Sequence, residues 1–444
     1  MKQFSILWFG QLVSVMGSGL TGFALAVWVY QSTGSVTRFA LMFLFTSLPG
    51  VVLAPVAGVL VDRWDRRLLM LASDTAAVLC TLGIVLLLWL NRLEVWHLYV
   101  LLGLSSIFRA VQWPAFAASI TLLVPKSQYG RTSGMTQLGE ALTMILAPTV
   151  AGLLMDRIGL VGVILIDVST FVFAVLTLLV VRIPAPPAVE SRKREGTMWS
   201  EIAESWTYLR ERSGLLALLL LFAGANFAMA MVQVLFRPLV LSFTSAQVLG
   251  QVLSVASIGF LVGGLTMSVW GGPKRRVLGI YVFQTLQGLI LLLAGLEASA
   301  LLIAGAGFLF FFCSSVIFGS SQAIWQSKVA PGIQGRVFSL RRMVVTSTLP
   351  LAYLIAGPLA DHVFEPAMAP GGALAASVGA VIGTGQGRGI ALMVLLLGIW
   401  LLLLVNVAHR YRPMRRVEDE LPDSTGEENK EARAPQEDLS TSLG

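Results

Sequence analysis

Arg109, Glu140 and Asp167 are ionisable residues that stand inside otherwise apolar runs of this chain. A charge near the centre of a bilayer costs about 2.5 to 3.5 kcal/mol even on the lenient insertion scale, so each needs a reason to be there. The chemistry such groups can do is proton transfer. Glu140 lies two turns before Pro148 on one helix face, and two readings stand for it: a site that titrates as protons cross, or a fixed partner of Arg109. Asp167 either joins that chemistry or caps a neighbour near the outer interface. Asp74, near the end of its run, reads as structural.

A second group lies between runs. Gly58 and Asp62-Arg63, followed by Arg66 and Arg67, put a carboxylate at a helix end beside three basic side chains. There it can face the positive N-terminus of a neighbouring helix. Its expected partners are Arg131 and the segment around Gly335 and Arg336. The arginines also serve topology, and the two roles do not exclude each other. No Gly-x-x-x-x-Gly-Lys-Ser/Thr loop is present, which argues against an ATP-driven pump. Cys80 and Cys313 sit singly inside apolar runs and His97, His362 and His409 are far apart, so neither a disulfide framework nor a metal site is expected. No nucleophile-base pair points to an enzyme, and no cofactor is expected.

The elements that must position these residues follow from composition. Of the 444 residues 56% are hydrophobic and 12% charged, far from the balance of a soluble domain. The chain reads as an all-α integral membrane protein whose main partner is the lipid bilayer. The net charge of +7 comes from short basic clusters between apolar runs, and so does not point to nucleic acid. Runs long enough to cross a bilayer fall near 5–30, 38–61, 68–90, 97–121, 133–155 and 160–182, then near 215–241, 246–270, 277–296, 299–325, 336–360 and 389–408. The first has no cleavage site closing a short core and reads as an anchoring helix. Four divisions result: a six-helix bundle over 1–183, a linker over 184–214, a second bundle over 215–410, and a disordered tail over 411–444. Within the linker, Trp199, Ile202, Trp206 and Leu209 recur at helical spacing, which suits an interfacial helix or one packed on the bundle ends. Lys and Arg concentrate in alternate loops, which places both termini in the cytoplasm.

The octapeptide Val56 to Arg63 returns as Val150 to Arg157, as Ile355 to His362 and, worn down, as Val262 to Ser268. Gly264 follows Gly58 by 206 positions and Gly357 follows Gly152 by 205, so the chain is two tandem halves. The copies that end on opposite sides make the three-helix units inverted within each half. Of the four, only the first joins its Asp, Asp62, to a following basic cluster, and it is the expected gate latch; the others record the symmetry.

Nested inverted repeats of this kind are those of major facilitator transporters, and Gly58-x-x-x-Asp62-Arg63-x-x-Arg66-Arg67 resembles the loop signature of that superfamily. Trp8-Phe9-Gly10-Gln11, Val363-Phe364-Glu365-Pro366 and Ala147-Pro148-x-x-Ala151-Gly152 resemble the drug:proton antiporter branch that holds macrolide and siderophore exporters. The last departs from that branch's signature by two glycine-to-alanine replacements. The resemblance implies the twelve-helix major facilitator fold, a latch at Asp62 and a proton-coupling role for Arg109, although Gln112-Trp113-Pro114 stands where glycines usually follow that arginine.

Pro148 and Gly152 on the fifth span, with Gly259 and Gly263 on the eighth, read as a small-residue interface on which the halves rock. Gln11, Ser14, Ser18, Gln112, Trp113, Asn226, Gln233 and Gln322 are the expected cavity residues, with Phe227 and Trp325 as apolar walls. Few charges fall in that strip, which favours a neutral or weakly cationic organic substrate. The expected function is proton-coupled export of a small amphipathic compound by a monomer in the cell membrane. A facilitator or importer, and a transport-dead sensor on the same fold, are the rivals. The topology has a direct check: reporter fusions after Leu90 and after Arg410 should report opposite sides of the membrane, the second cytoplasmic; the same side for both would refute the span order.

Overall fold

The computed structural model describes residues 2–125, 128–181, 198–329 and 333–420, apart from the side chains of 54–59 and 61–63 and a few others at segment ends. The chain is helical wherever the apolar runs lie. In order, the helices of the first half are α1 Lys2–Thr33, α2 Val36–Arg63, α3 Arg66–Trp89, α4 Val95–Leu123 and α5 Tyr129–Val180. A linker helix, α6 Met198–Glu211, leads to α7 Ser213–Leu241, α8 Ala246–Trp270, α9 Arg276–Leu296, α10 Ala300–Lys328 and α11 Gln334–Leu359. A π turn and two short helices, α12 Glu365–Met368 and α13 Gly379–Ile382, precede α14 Arg388–Arg410, and α15 Arg412–Arg415 and α16 Val417–Glu420 follow it.

Ten of these helices are long and apolar enough to cross a membrane. α5 crosses twice, because Gly159 at φ 66° breaks it into two arms that meet at an angle no L side chain adopts easily. α2, of which the apolar stretch Val36–Gly50 is described, completes twelve spans in two six-helix bundles. Lipid offers no hydrogen bonds, so each backbone group must be satisfied within its own helix, and the long uninterrupted helices answer that requirement. Helix starts are fixed locally: Ser35, Asp65, Ser245 and Ser299 accept from the amides of Arg38, Leu68, Val248 and Leu302.

Remote carboxylates and arginines complete the ends. Glu365 accepts from the amides of Gly387 and Ile390 and so ties the outer loop to the start of α14. Glu418 accepts from the amides of Arg276 and Val277 at the start of α9. Arg66 donates to the Ala118 carbonyl, and Arg67 to those of Leu178 and Leu179, where cations favour the negative ends of α4 and α5.

The tail expected to be disordered from 411 therefore begins as structure. Met414 and Val417 are buried, and Pro413 packs so closely on Gly214 that a Cβ there would lie 2.7 Å from its carbonyl oxygen. The apolar residues of this stretch supply a docking face that its charged surroundings conceal in the sequence. Residues 421–444 and the first part of the linker, 184–197, lie outside the described residues. In the linker helix two residues of the stripe differ: Leu209 is buried against the bundle ends and Trp206 is 41% exposed.

The halves meet along two crossings. One joins α5 to α8, where a Cβ on Gly250 would strike the Pro148 carbonyl and one on Gly152 would lie 2.8 Å from that of Ala246. Thr149 and Ser254 hydroxyls sit 2.7 Å apart across it, and Ser254 also donates to the Ile145 carbonyl. Pro148 and Gly152 thus occupy the expected interface. Gly259 and Gly263 do not: they face Phe308, Phe312 and Ser315 of α10 within their own half, because the small face of α8 turns away from α5 after its first two turns. The other crossing joins α2 to α11, with Gly357 pressed on Thr37. Both lie toward the side opposite the chain termini, called here the far side.

Glycine sites of opposite environment test these crossings. Gly250→Ala should cost about 1 to 3 kcal/mol through overpacking and lower the unfolding temperature of the purified protein. Gly264→Ala, where a Cβ meets nothing within 4 Å, should leave it unchanged.

Candidate functional site

Asp361 closes the far side. Its Oδ2 accepts from the Ser35 hydroxyl at 2.6 Å and the Thr37 amide at 2.8 Å, and its Oδ1 from the Val36 amide at 2.9 Å. Ser35 meanwhile accepts from the Arg38 amide, so the first three free amides of α2 are all satisfied, two of them by a carboxylate from the other half. A carboxylate on a helix N-terminus also gains from the helix dipole. Asp361 ends the third copy of the octapeptide, and Gly357 within that copy lets α11 come close enough for the contact. The sequence gives this copy a symmetry role only; the structure makes it a latch.

The side chains of Gly58, Asp62 and Arg63, at the equivalent end of α2, lie outside the described residues. Arg66 and Arg67 are engaged within their own half at the helix ends given above. The expected partner Arg336 bonds Glu204 of the linker helix at 2.8 Å, where α6 passes across the start of α11; whether it also meets Asp62 lies outside the described residues.

Behind the latch lies a cavity of about 460 Å³ between the halves, with Phe23, Phe43, Ala147, Pro148, Gln233 and Arg237 among its lining. A second, of about 600 Å³, is lined from the C-terminal half by Asn226, Gln284, Gln287, Gln322, Arg341 and several phenylalanines. Met229 and Phe310 border both, so the two adjoin. Of the expected cavity residues, Gln233 lines the first, and Asn226 and Gln322 line the second. Trp325 is fully buried, 5.0 Å from the Arg341 guanidinium, and lines neither cavity. Trp113 lines neither cavity and lies beside Phe116.

The remaining polar residues build a different site. Gln11 donates to Asp74 at 3.3 Å, and Gln112 donates to both Gln11, at 3.1 Å, and Asp74. The buried carboxylate of Asp74 on α3 is therefore held by one amide from α1 and one from α4. Two turns along α1, the Ser18 hydroxyl donates to Asp167 at 3.2 Å, and Gly17 admits that carboxylate by leaving no Cβ in its way. Ser14 is buried between them on the same face. Arg109 is the charge that acts on both carboxylates.

One expectation changes here and another gains its partners. Glu140 makes no ion pair with Arg109; among the described residues the ion pairs are Arg212–Glu211 and Arg336–Glu204. Glu140 is exposed one turn from Thr143 and Met144, which line the first cavity. Asp74, read as structural near a helix end, is the hydrogen-bonded carboxylate of the interior amide cluster, which gives that reading its partners without overturning it. The signal that could have found it is spacing on α3: Asp74 shares a face with Met70, buried in the core, whereas the lipid side carries Leu68 and Leu79.

Comparison with known proteins follows the same lines. The family model described as Major Facilitator Superfamily matches residues 7–352. Macrolide efflux protein A of Streptococcus pyogenes is 30% identical over 373 residues, which cover 81% of this chain and 90% of that protein. Multidrug efflux pump Tap of Mycolicibacterium fortuitum is 24% identical, with 80% of this chain and 88% of that one aligned. Among solved structures, nucleoside transporter NupG superposes with a TM-score of 0.66 at 12% identity, over 93% of this chain and 100% of that one, a likeness of fold alone. A match across most of the chain, with twelve spans in two bundles and glycine-bearing repeats at their crossings, establishes that this chain belongs to the major facilitator superfamily.

Proposed function

We propose that this protein is a secondary active exporter of a small amphipathic organic compound, driven by proton exchange through alternating access. The observation that carries the reading is the Asp361 latch: a cavity between the halves is shut on one side by a contact between halves that a carboxylate makes and can release. The likeness to macrolide and multidrug efflux proteins supports export of an amphipathic organic compound, and the cavities' apolar, aromatic walls suit one. Residues 1–183 and 215–410 act as the two moving bodies and 184–214 as their tether.

The inverted repeats supply the other state. Asp62 stands in the first octapeptide where Asp361 stands in the third, and α11 begins at the termini side as α2 begins at the far side. When the far side opens, Asp62 takes the free amides at the start of α11, with Gly58 making room as Gly357 does at Thr37. Arg66 and Arg67 keep the ends of α4 and α5 gathered while this happens. Proton coupling falls to Asp74 and Asp167 under the charge of Arg109, because carboxylates held by neutral amides and hydroxyls can be protonated without breaking an ion pair. Glu140, at the cavity mouth, relays protons to them. The chain acts as a monomer in the cell membrane with both termini cytoplasmic.

Proteoliposomes with and without an imposed pH gradient test the coupling, using erythromycin as the probe suggested by the relatives. Wild-type protein should accumulate it only with the gradient, and Asp74→Asn should lose gradient-driven accumulation at least tenfold while retaining exchange of labelled for unlabelled probe. Accumulation indifferent to the gradient would sink proton antiport.

The latch has its own test. Water replaces most of the three bonds when Asp361 is removed, which leaves a net loss near that of one charged hydrogen bond, about 1.5 to 3 kcal/mol, so Asp361→Ala should shift the conformational equilibrium toward far-side opening by roughly ten- to a hundredfold. A cysteine at Thr46, on the first cavity, should then react faster with an impermeant maleimide from the far side; an unchanged rate would remove Asp361 as the latch.

A further inference from the structure

The cavities carry an uncompensated charge. Arg237 lines the first, and Arg341 and Arg342 line the second, while no Asp or Glu is among the described lining residues of either. None of the three belongs to the described ion pairs. Arg341 donates to Gln322 Oε1 and to the Ser321 hydroxyl, each at 3.2 Å, so both of its partners are neutral. Arg237 donates to its own helix at the Gln233 carbonyl, 3.3 Å away, and its buried Nε has no partner. Each guanidinium lies 5.0 Å from an aromatic ring, Phe43 for Arg237 and Trp325 for Arg341. Ring faces hold a cation in place by their quadrupole but leave its N–H edge free to bind.

A cation removed from water and left without a counter-charge is costly, and bilayer depth adds to that cost. The compensation that fits is a negative group carried by whatever enters. In the N-terminal half, Asp74 and Asp167 are turned inward among Gln11, Gln112 and Ser18, and Glu140 is exposed, outside the lining of either cavity and outside the described ion pairs. Phe222, Phe260, Phe310, Phe318 and Phe338 surround the second cavity with apolar area beside Arg341. A fork of N–H donors set against aromatic walls matches a molecule with a flat apolar body and one compact acidic group.

We propose that the cavities also accept an amphipathic organic anion whose acidic group binds Arg341, with Arg237 as a second anion station closer to the far-side latch. This rests on the chain being a transporter of amphipathic compounds and extends that class beyond the neutral or weakly cationic solute that the polar strip suggests. Arg237 and Arg341 lie outside that strip, and by position along the chain they count as loop charges.

Matched probes separate the two readings. Equilibrium dialysis of the full-length protein in nanodiscs, with 1-naphthaleneacetate, its neutral amide and 1-naphthylmethylamine, compares the same ring with three charges. The carboxylate should bind at least tenfold more tightly than the amide and the amine. Arg341→Gln should remove about tenfold of that preference and Arg237→Gln a smaller part. Arg341→Lys should keep most of it, which shows that the fold is intact. Arg275→Gln, an exposed arginine outside both cavities, should change nothing. No carboxylate preference in the wild type, or a preference unchanged in both glutamine variants, overturns the proposal. Gradient-driven export of erythromycin would stand or fall separately, because it reads transport and not the charge of the ligand.

Discussion

The bond between Asp361 and the first turn of α2 sets what the rest of the molecule can do. A helix start presents unpaired amides and a partial positive charge, and at a membrane surface these must be met by water or by an acceptor. Here the acceptor comes from the opposite half, so the free energy that would merely cap a helix also joins two bodies. The contact needs Gly357 to bring α11 against Thr37, and it needs the π turn after Leu359 to aim the carboxylate. Because a capped helix end can exchange its protein acceptor for water, the closure is reversible at modest cost.

The same chemistry recurs elsewhere with a different outcome. Glu365 on α14 and Glu418 on α9 cap helices within their own half, and so stiffen a bundle. Arg66 and Arg67 do the complementary work at the carbonyl ends of α4 and α5. A bundle whose helix ends are tied internally is stiffened as a unit, and the α2–α11 and α5–α8 crossings are where the two bundles meet. There the contacts are close backbone packing and hydroxyl bonds, with no described ion pair to be broken.

Charge is divided between the halves. The N-terminal half buries Asp74 and Asp167 behind amides and a hydroxyl, near Arg109, whereas the C-terminal half turns Arg237 and Arg341 toward the cavities. Carboxylates held by neutral donors suit proton exchange; arginines with free N–H edges suit binding. The separation keeps these two tasks from neutralising each other.

The twelve spans, their order and the two-half repeat were legible in the sequence, because apolar length and periodic small residues report directly on crossing a bilayer. Pro148 and Gly152 announced the α5–α8 crossing. The partners of Asp74 and Asp361 and the cavity position of Arg237 were not legible, since position along a helix does not say which face is turned inward. Gly259 and Gly263 pointed to close packing but not to the helix they pack against. The sequence by itself determined which segments cross the membrane and that they repeat, because those properties are local to each segment. Which carboxylate meets which helix start, and which arginine faces empty space, was decided only by tertiary structure, because each depends on the rotation of one helix against another.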